Sequence, residues 1–266
     1  MFKFVVSLLL LSFPLACSAR AGTISISPSV SFNGETAVVS VSNGGDESAR
    51  QVQVDVGFAG WERRGKFRPE LPPGESLQEK FSLEGVCPPL PGAYPLRVLV
   101  TYADANGYSF SALLISPVIL GKARRSALHL HVKPLELREQ GAVECRVANL
   151  GGTAMEAVCR LETSPELRVV DPVRRLRLDP GRDRLIKFEV KNLAAVAPSS
   201  YPVYLVAEYD EDGLHHTALG RNMVKVLPGG RRSRAWFWGG AVLVTLAAAA
   251  AIYLGLRRRD SASSRR

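Results

Sequence analysis

The sequence predicts an all-β protein: two tandem immunoglobulin-like β-sandwiches followed by one transmembrane α-helix. Three observations predict it. Apolar residues recur with a period of two, a unit of about 106 residues occurs twice, and a long charge-free run stands near the C-terminus.

The N-terminus comes first. Lys3 opens a run from Phe4 to Leu15 that is apolar and too short to cross a bilayer, and the small residues Ala16 to Ala21 follow. This is the layout of a cleaved signal peptide over residues 1–21, with the cleavage site open between Ala19 and Ala21.

The next 209 residues hold the repeat. "LPPGESLQEKFSL" at 71–83 matches "LDPGRDRLIKFEV" at 178–190, so Pro73–Gly74 falls on Pro180–Gly181 and Lys80–Phe81 on Lys187–Phe188. "YPLRVLVTYADANG" then matches "YPVYLVAEYDEDG", and Asn43 falls on Asn149. This predicts a first sandwich over 22–121, a linker over 122–125 and a second sandwich over 126–230. Within each copy, successive strand side chains point to opposite faces. Val52, Val54 and Val56 therefore share one face, as do Tyr94, Leu96, Val98, Val100 and Tyr102. Asn106–Gly107 and Asp212–Gly213 are hairpin signals, because both residue types tolerate positive φ. Tyr94 and Tyr201 stand where such sandwiches place a tyrosine that bonds back to the corner backbone; an ordinary half-buried tyrosine is the equal alternative.

The remaining elements are a basic stem at 231–234, a membrane helix at 235–256 and a tail at 257–266. Ala235 to Leu256 carries no charge and as a helix spans about 33 Å, a hydrocarbon core's thickness. Trp236, Trp238 and Tyr253 are its expected interfacial anchors, and Arg257, Arg258 and Arg259 its cytoplasmic flank. The expected localisation is a single-pass membrane protein with its N-terminal part periplasmic or extracellular. A C-terminal sorting signal is a second reading of the same segment.

Charge narrows the partners. Of the formal +9, the excess lies at the ends: Lys3 and Arg20 in the leader, and eight arginines against Asp260 after residue 230. The segment between is balanced, with no electrostatic footprint for nucleic acid. The expected partners are an envelope protein or glycan, and membrane lipid through the helix.

Chemistry is harder to find. The sequence has no phosphate-binding glycine loop, HExxH, GxSxG or CxxC, so no catalytic residue, cofactor or metal is expected. Cys145 and Cys159 replace the inward-facing Val39 and Val54 of the first copy; a disulfide and two buried thiols are both open. The segment with binding character is "FAGWERRGKF" at 58–67, where Trp61, Arg63, Arg64 and Phe67 are types enriched in binding hot spots. Its alternative is a loop whose aromatics fold back on the sandwich while the cations stay solvated.

The strand-and-turn pattern "VSVSNGGDESARQVQVDV … LPPGESLQEKF … PGAYPLRVLVTYAD", answered in the second copy by "CRVANLGGTAMEAVCRLE … LDPGRDRLIKFEV … YPVYLVAEYD", resembles the cell-adhesion-related (CARDB-type) bacterial Ig-like domains over most of residues 23–227. The resemblance implies a non-catalytic, extracytoplasmic interaction module. An accessory subunit of an envelope transport or secretion complex, assembled through the membrane helix, is the alternative.

Overall fold

The computed structural model describes residues 22–86 and 88–228. The expected signal peptide, stem, membrane helix and tail, with Trp236, Trp238, Tyr253, Arg257, Arg258 and Arg259, lie outside the described residues. Among the described residues no helix is long and apolar enough to cross a membrane.

The described chain is all-β. In the first copy the strands are β1 (Ile26–Phe32), β2 (Thr36–Asn43), β3 (Ala49–Phe58), β4 (Trp61–Arg64), β5 (Arg68–Leu71), β6 (Ser76–Ser82), β7 (Gly92–Ala103) and β8 (Ser109–Leu120). In the second they are β9 (Leu128–Val132), β10 (Leu135–Leu137), β11 (Gln140–Asn149), β12 (Met155–Thr163), β13 (Leu167–Val170), β14 (Val173–Leu178), β15 (Asp183–Asn192), β16 (Ser199–Glu211) and β17 (Leu214–Val226).

Each copy packs two sheets around its own core. In the first, the sheet β1-β2-β6 lies against the sheet carrying β3, β7 and β8, with β4 and β5 both on the edge of β3. Val39, Val54, Val56, Leu96 and Val98 fill the space between, all 0–1% exposed. In the second, β13-β15-β11-β9 lies against β14-β12-β16-β17, and Val143, Leu161, Phe188, Val203 and Leu205 do the same work. The expected inward faces are inward: Tyr94 to Val100 at alternate positions, and Tyr201, Val203, Leu205, Ala207 and Tyr209, are all buried. Tyr102 is the exception, only partly buried.

The repeat extends to a buried asparagine in each copy. Asn43 donates from Nδ2 to Glu47 O (2.8 Å) and Leu71 O (3.0 Å), and its Oδ1 accepts from Gly45 N (3.1 Å). Asn149 donates to Thr153 O (2.8 Å) and Leu178 O (3.0 Å) and accepts from Gly151 N (2.8 Å). The side chain closes the turn after β2 or β11 and ties it to the end of β5 or β14, satisfying backbone groups that burial would otherwise strand.

The corner tyrosines differ. Tyr94 donates its hydroxyl hydrogen to Leu90 O at 2.6 Å, as a tyrosine corner does. The Tyr201 hydroxyl is buried without a hydrogen-bond partner.

The two copies are not strung loosely on the linker. Gly92 and His215 form one parallel bridge between β7 and β17, so one sheet runs through both copies. Leu99, Leu113 and Ile115 meet Tyr204 and Val206 in a third apolar cluster. Ser111 Oγ donates to Glu166 Oε2 at 2.7 Å, Thr217 Oγ1 donates to Ala93 O at 2.7 Å, and Arg97 pairs with Glu162 at 3.4 Å. Burial pushes the Tyr102 phenol up to about 12, with the Glu166 carboxylate adding to it.

Candidate functional site

The segment Phe58–Phe67 is a hairpin rather than a loop. Phe58 pairs with Trp61 across Ala59 and Gly60, whose φ values of 47° and 79° are the left-handed pair that a two-residue type I′ turn needs. β4 then runs back along β3, with Arg64 opposite Asp55, and their side chains form an ion pair at 3.1 Å. Trp61 packs onto the first core, and the Arg63 guanidinium stands over its indole, 5.3 Å from the ring centroid.

Three hydrogen bonds pin the chain as it leaves β4. Gly65 N donates to Val54 O (2.7 Å), Gln53 Nε2 donates to Gly65 O (2.7 Å), and Lys66 N donates to Glu79 Oε2 (3.0 Å). Gly65 lies so close to β6 that a Cβ there would fall 1.9 Å from Glu79 Oε2. Phe67 points away, 60% exposed. The folded-back reading therefore holds for Trp61 and fails for Phe67.

Between this hairpin and β6 lies an open groove of about 740 Å³. Trp61 and Phe81 give it apolar wall; Arg63, Arg64, Lys66, Arg68 and Lys80 line it with positive charge. Glu79 also lines it. That carboxylate is 8% exposed, and its Oε1 has no hydrogen-bond partner. The structure thus brings Trp61, Arg63 and Arg64 together and leaves Phe67 outside the groove. Sequence reading missed Lys66, Arg68, Glu79 and Lys80. A signal for Glu79 was present: Val39 faces Glu79 where Cys145 faces Ile186, so a carboxylate stands at an inward position that is apolar in the other copy.

Trp61 also borders a second recess of about 600 Å³ at the seam between the copies, with Phe58, Tyr94, Arg97, Glu162 and Glu208. Beside it the His215 ring stacks on Tyr94 at 4.1 Å, with Nδ1 2.7 Å from Asp210 and Nε2 3.2 Å from Glu208. Burial works against the charged imidazole, but the two carboxylates outweigh it and raise its pKa above the usual histidine value.

Cys145 on β11 and Cys159 on β12, whose pairing the sequence left open, are two free thiols on facing sheets, both fully buried. Burial pushes each up to about 12, so neither is a nucleophile at neutral pH. Among the described residues no group of three or more His, Cys, Asp or Glu side chains is placed to hold a metal ion.

No family model matches this chain, and no curated protein matches it. Among solved structures it superimposes distantly on the native conformation of Escherichia coli α2-macroglobulin (9% identity, TM-score 0.34, 77% of this chain and 17% of that one). Crystal structures of a Salmonella α2-macroglobulin mutant (11%, 0.34, 79% and 16%) and of red sea bream transglutaminase (12%, 0.29, 77% and 31%) are similar to the same degree. The chain spans less than a third of the length of each.

Proposed function

We propose that this chain is a non-catalytic, membrane-anchored interaction module of the cell envelope: two immunoglobulin-like sandwiches of the CARDB type, held outside the cytoplasm by the helix at 235–256, that bind a protein or glycan partner. The observation that carries this reading is the β4 hairpin, which holds Trp61 under Arg63 at the rim of an open groove lined by five cations. Aromatic and arginine side chains on a rigid strand lose little conformational freedom on binding, which is what a contact surface requires. The seam between the copies supports it as well, because a rigid pair of domains presents that groove at a set height from its anchor.

The test is site-specific photocrosslinking in intact cells. A photoreactive residue at Arg63 or Gln78 is expected to capture one partner reproducibly, and Trp61→Ala is expected to abolish the capture while the protein stays folded. Replacing the segment 235–256 with an unrelated membrane helix should leave capture unchanged. Capture lost with the helix and unaffected by Trp61→Ala would instead favour an accessory subunit assembled through its membrane span.

A further inference from the structure

The two copies treat one sheet edge differently. In the second, the chain crosses after β12 to the opposite sheet, and β13 pairs antiparallel with the outer edge of β15, setting Arg168 against Lys191 and Val170 against Glu189. In the first, the chain stays on its own sheet after β3 and forms β4. β6, the counterpart of β15, pairs with β2 alone.

The register says which groups this leaves open. Leu83 N donates to Glu35 O and Asn43 N to Glu75 O, so the odd-numbered residues of β6 direct their backbone bonds at β2. The N–H and C=O of Gln78, Lys80 and Ser82 therefore point outward, and among the described residues nothing bonds to them. Ser82 is the counterpart of Glu189, where the β13 pairing begins in the second copy; the counterparts of Gln78 and Lys80, Leu185 and Lys187, lie beyond β13 there as well. All three residues line the groove beside the hairpin. A free row of backbone donors and acceptors is a template for another strand, and proteins ordinarily cover or blunt such edges.

We propose that the β6 edge takes an extended, acidic segment of a partner polypeptide by strand addition, the segment lying in the groove along Gln78, Lys80 and Ser82. This deepens the interaction-module reading and rests on it. Charge selects the occupant: Arg63, Arg64, Lys66, Arg68 and Lys80 line the groove against two carboxylates, Glu79 and Glu84, so it is positive on balance.

The test uses the full-length protein in detergent micelles and a synthetic peptide of about eight residues alternating glutamate with valine, the length of an ordinary strand. Binding is followed by fluorescence anisotropy, and amide exchange by mass spectrometry. The peptide should bind, slow exchange over 76–82, and lose affinity as salt rises; its lysine-for-glutamate counterpart should bind far more weakly. Methylating alternate peptide nitrogens on the strand-facing side should weaken binding by roughly tenfold, since each lost backbone bond is worth a factor of several. Lys80→Pro should do the same from the protein side, removing a donor that β2 does not use. Binding that ignores both methylation and Lys80→Pro would be adsorption to the basic surface and would overturn strand addition. So would absence of binding in a protein that still crosslinks its partner through Arg63, an outcome that leaves the interaction module standing. Concentration-dependent dimerisation that protects 76–82 without peptide would overturn it in favour of a second copy of this chain.

Discussion

Replacing Asn149 with alanine removes three hydrogen bonds from a side chain that is 0% exposed. It also strands their partners. Leu178 O lies in the buried interior, while Thr153 O and Gly151 N are only partly buried. A buried polar group without a partner costs about 1–3 kcal/mol, and the partly buried pair recover some of that from water. The expected loss is therefore about 3 kcal/mol, which at ordinary m-values moves a urea midpoint down by about 1–3 M. Asn43→Ala offers an internal control, since Asn43 makes the same three bonds at 2.8, 3.0 and 3.1 Å and accepts a fourth, longer one from Ser25 N at 3.4 Å. Asn149→Asp should be worse than alanine, because it faces two carbonyls with a charge and no donor. The assay is urea denaturation of the purified protein followed by far-UV circular dichroism. A loss below about 1 kcal/mol in both copies would refute the claim that these side chains hold the turns.

Other expectations rest on the same geometry. Gly65→Ala drives a Cβ into Glu79 Oε2 and against Val54 O, so it should break the Lys66–Glu79 bond and cost about 1–3 kcal/mol; thermal melts and Trp61 emission in a Trp236→Phe, Trp238→Phe background would show it. Ser111→Ala leaves the 7% exposed Glu166 carboxylate without its donor and should cost about 1–3 kcal/mol, concentrated at the seam, where exchange of β8 and β16 amides should rise. Ile115→Asp puts a charge into the cluster between the copies, and small-angle scattering should report a longer, more variable particle while each core stays folded. For His215 the folded pKa is raised, so its stabilising contribution is fully present below about 6.5 and is lost as pH rises through the elevated folded value. The stability difference between the protein and His215→Gln should shrink across that window; a difference that stays flat with pH would count against the Glu208–His215–Asp210 arrangement.

How much was legible in advance differs from element to element. Val52, Val54 and Val56 announce a buried face because strand side chains alternate, and the alternation survives in the fold. The β4 hairpin was half legible: Trp61, Arg63 and Arg64 stood out by type, while Ala59–Gly60 went unread as its turn because alanine seldom takes positive φ. Tyr204, Val206, Leu99, Leu113 and Ile115 break the alternation on their strands, and that was the available sign of a second buried face. It could not say what covers them, since Tyr204 packs on residues about 90 positions earlier in the chain.

The sequence by itself determined the all-β class, the duplication, the inward residues of most strands and the main turns. The class, inward faces and turns rest on local spacing, a period of two or a glycine or aspartate such as Asp212–Gly213 where the backbone takes positive φ, and the duplication on self-similarity at about 106 residues. Only the tertiary structure decided which strand lies beside which, and so that β13 covers the end of β15 at 189–192 while β6 pairs with β2 alone, that Glu79 is buried with one oxygen unpaired, and that His215 lies against Tyr94 between two carboxylates. Backbone hydrogen-bond partners across a sheet are chosen by packing between segments far apart in the chain, which no local residue pattern spells out.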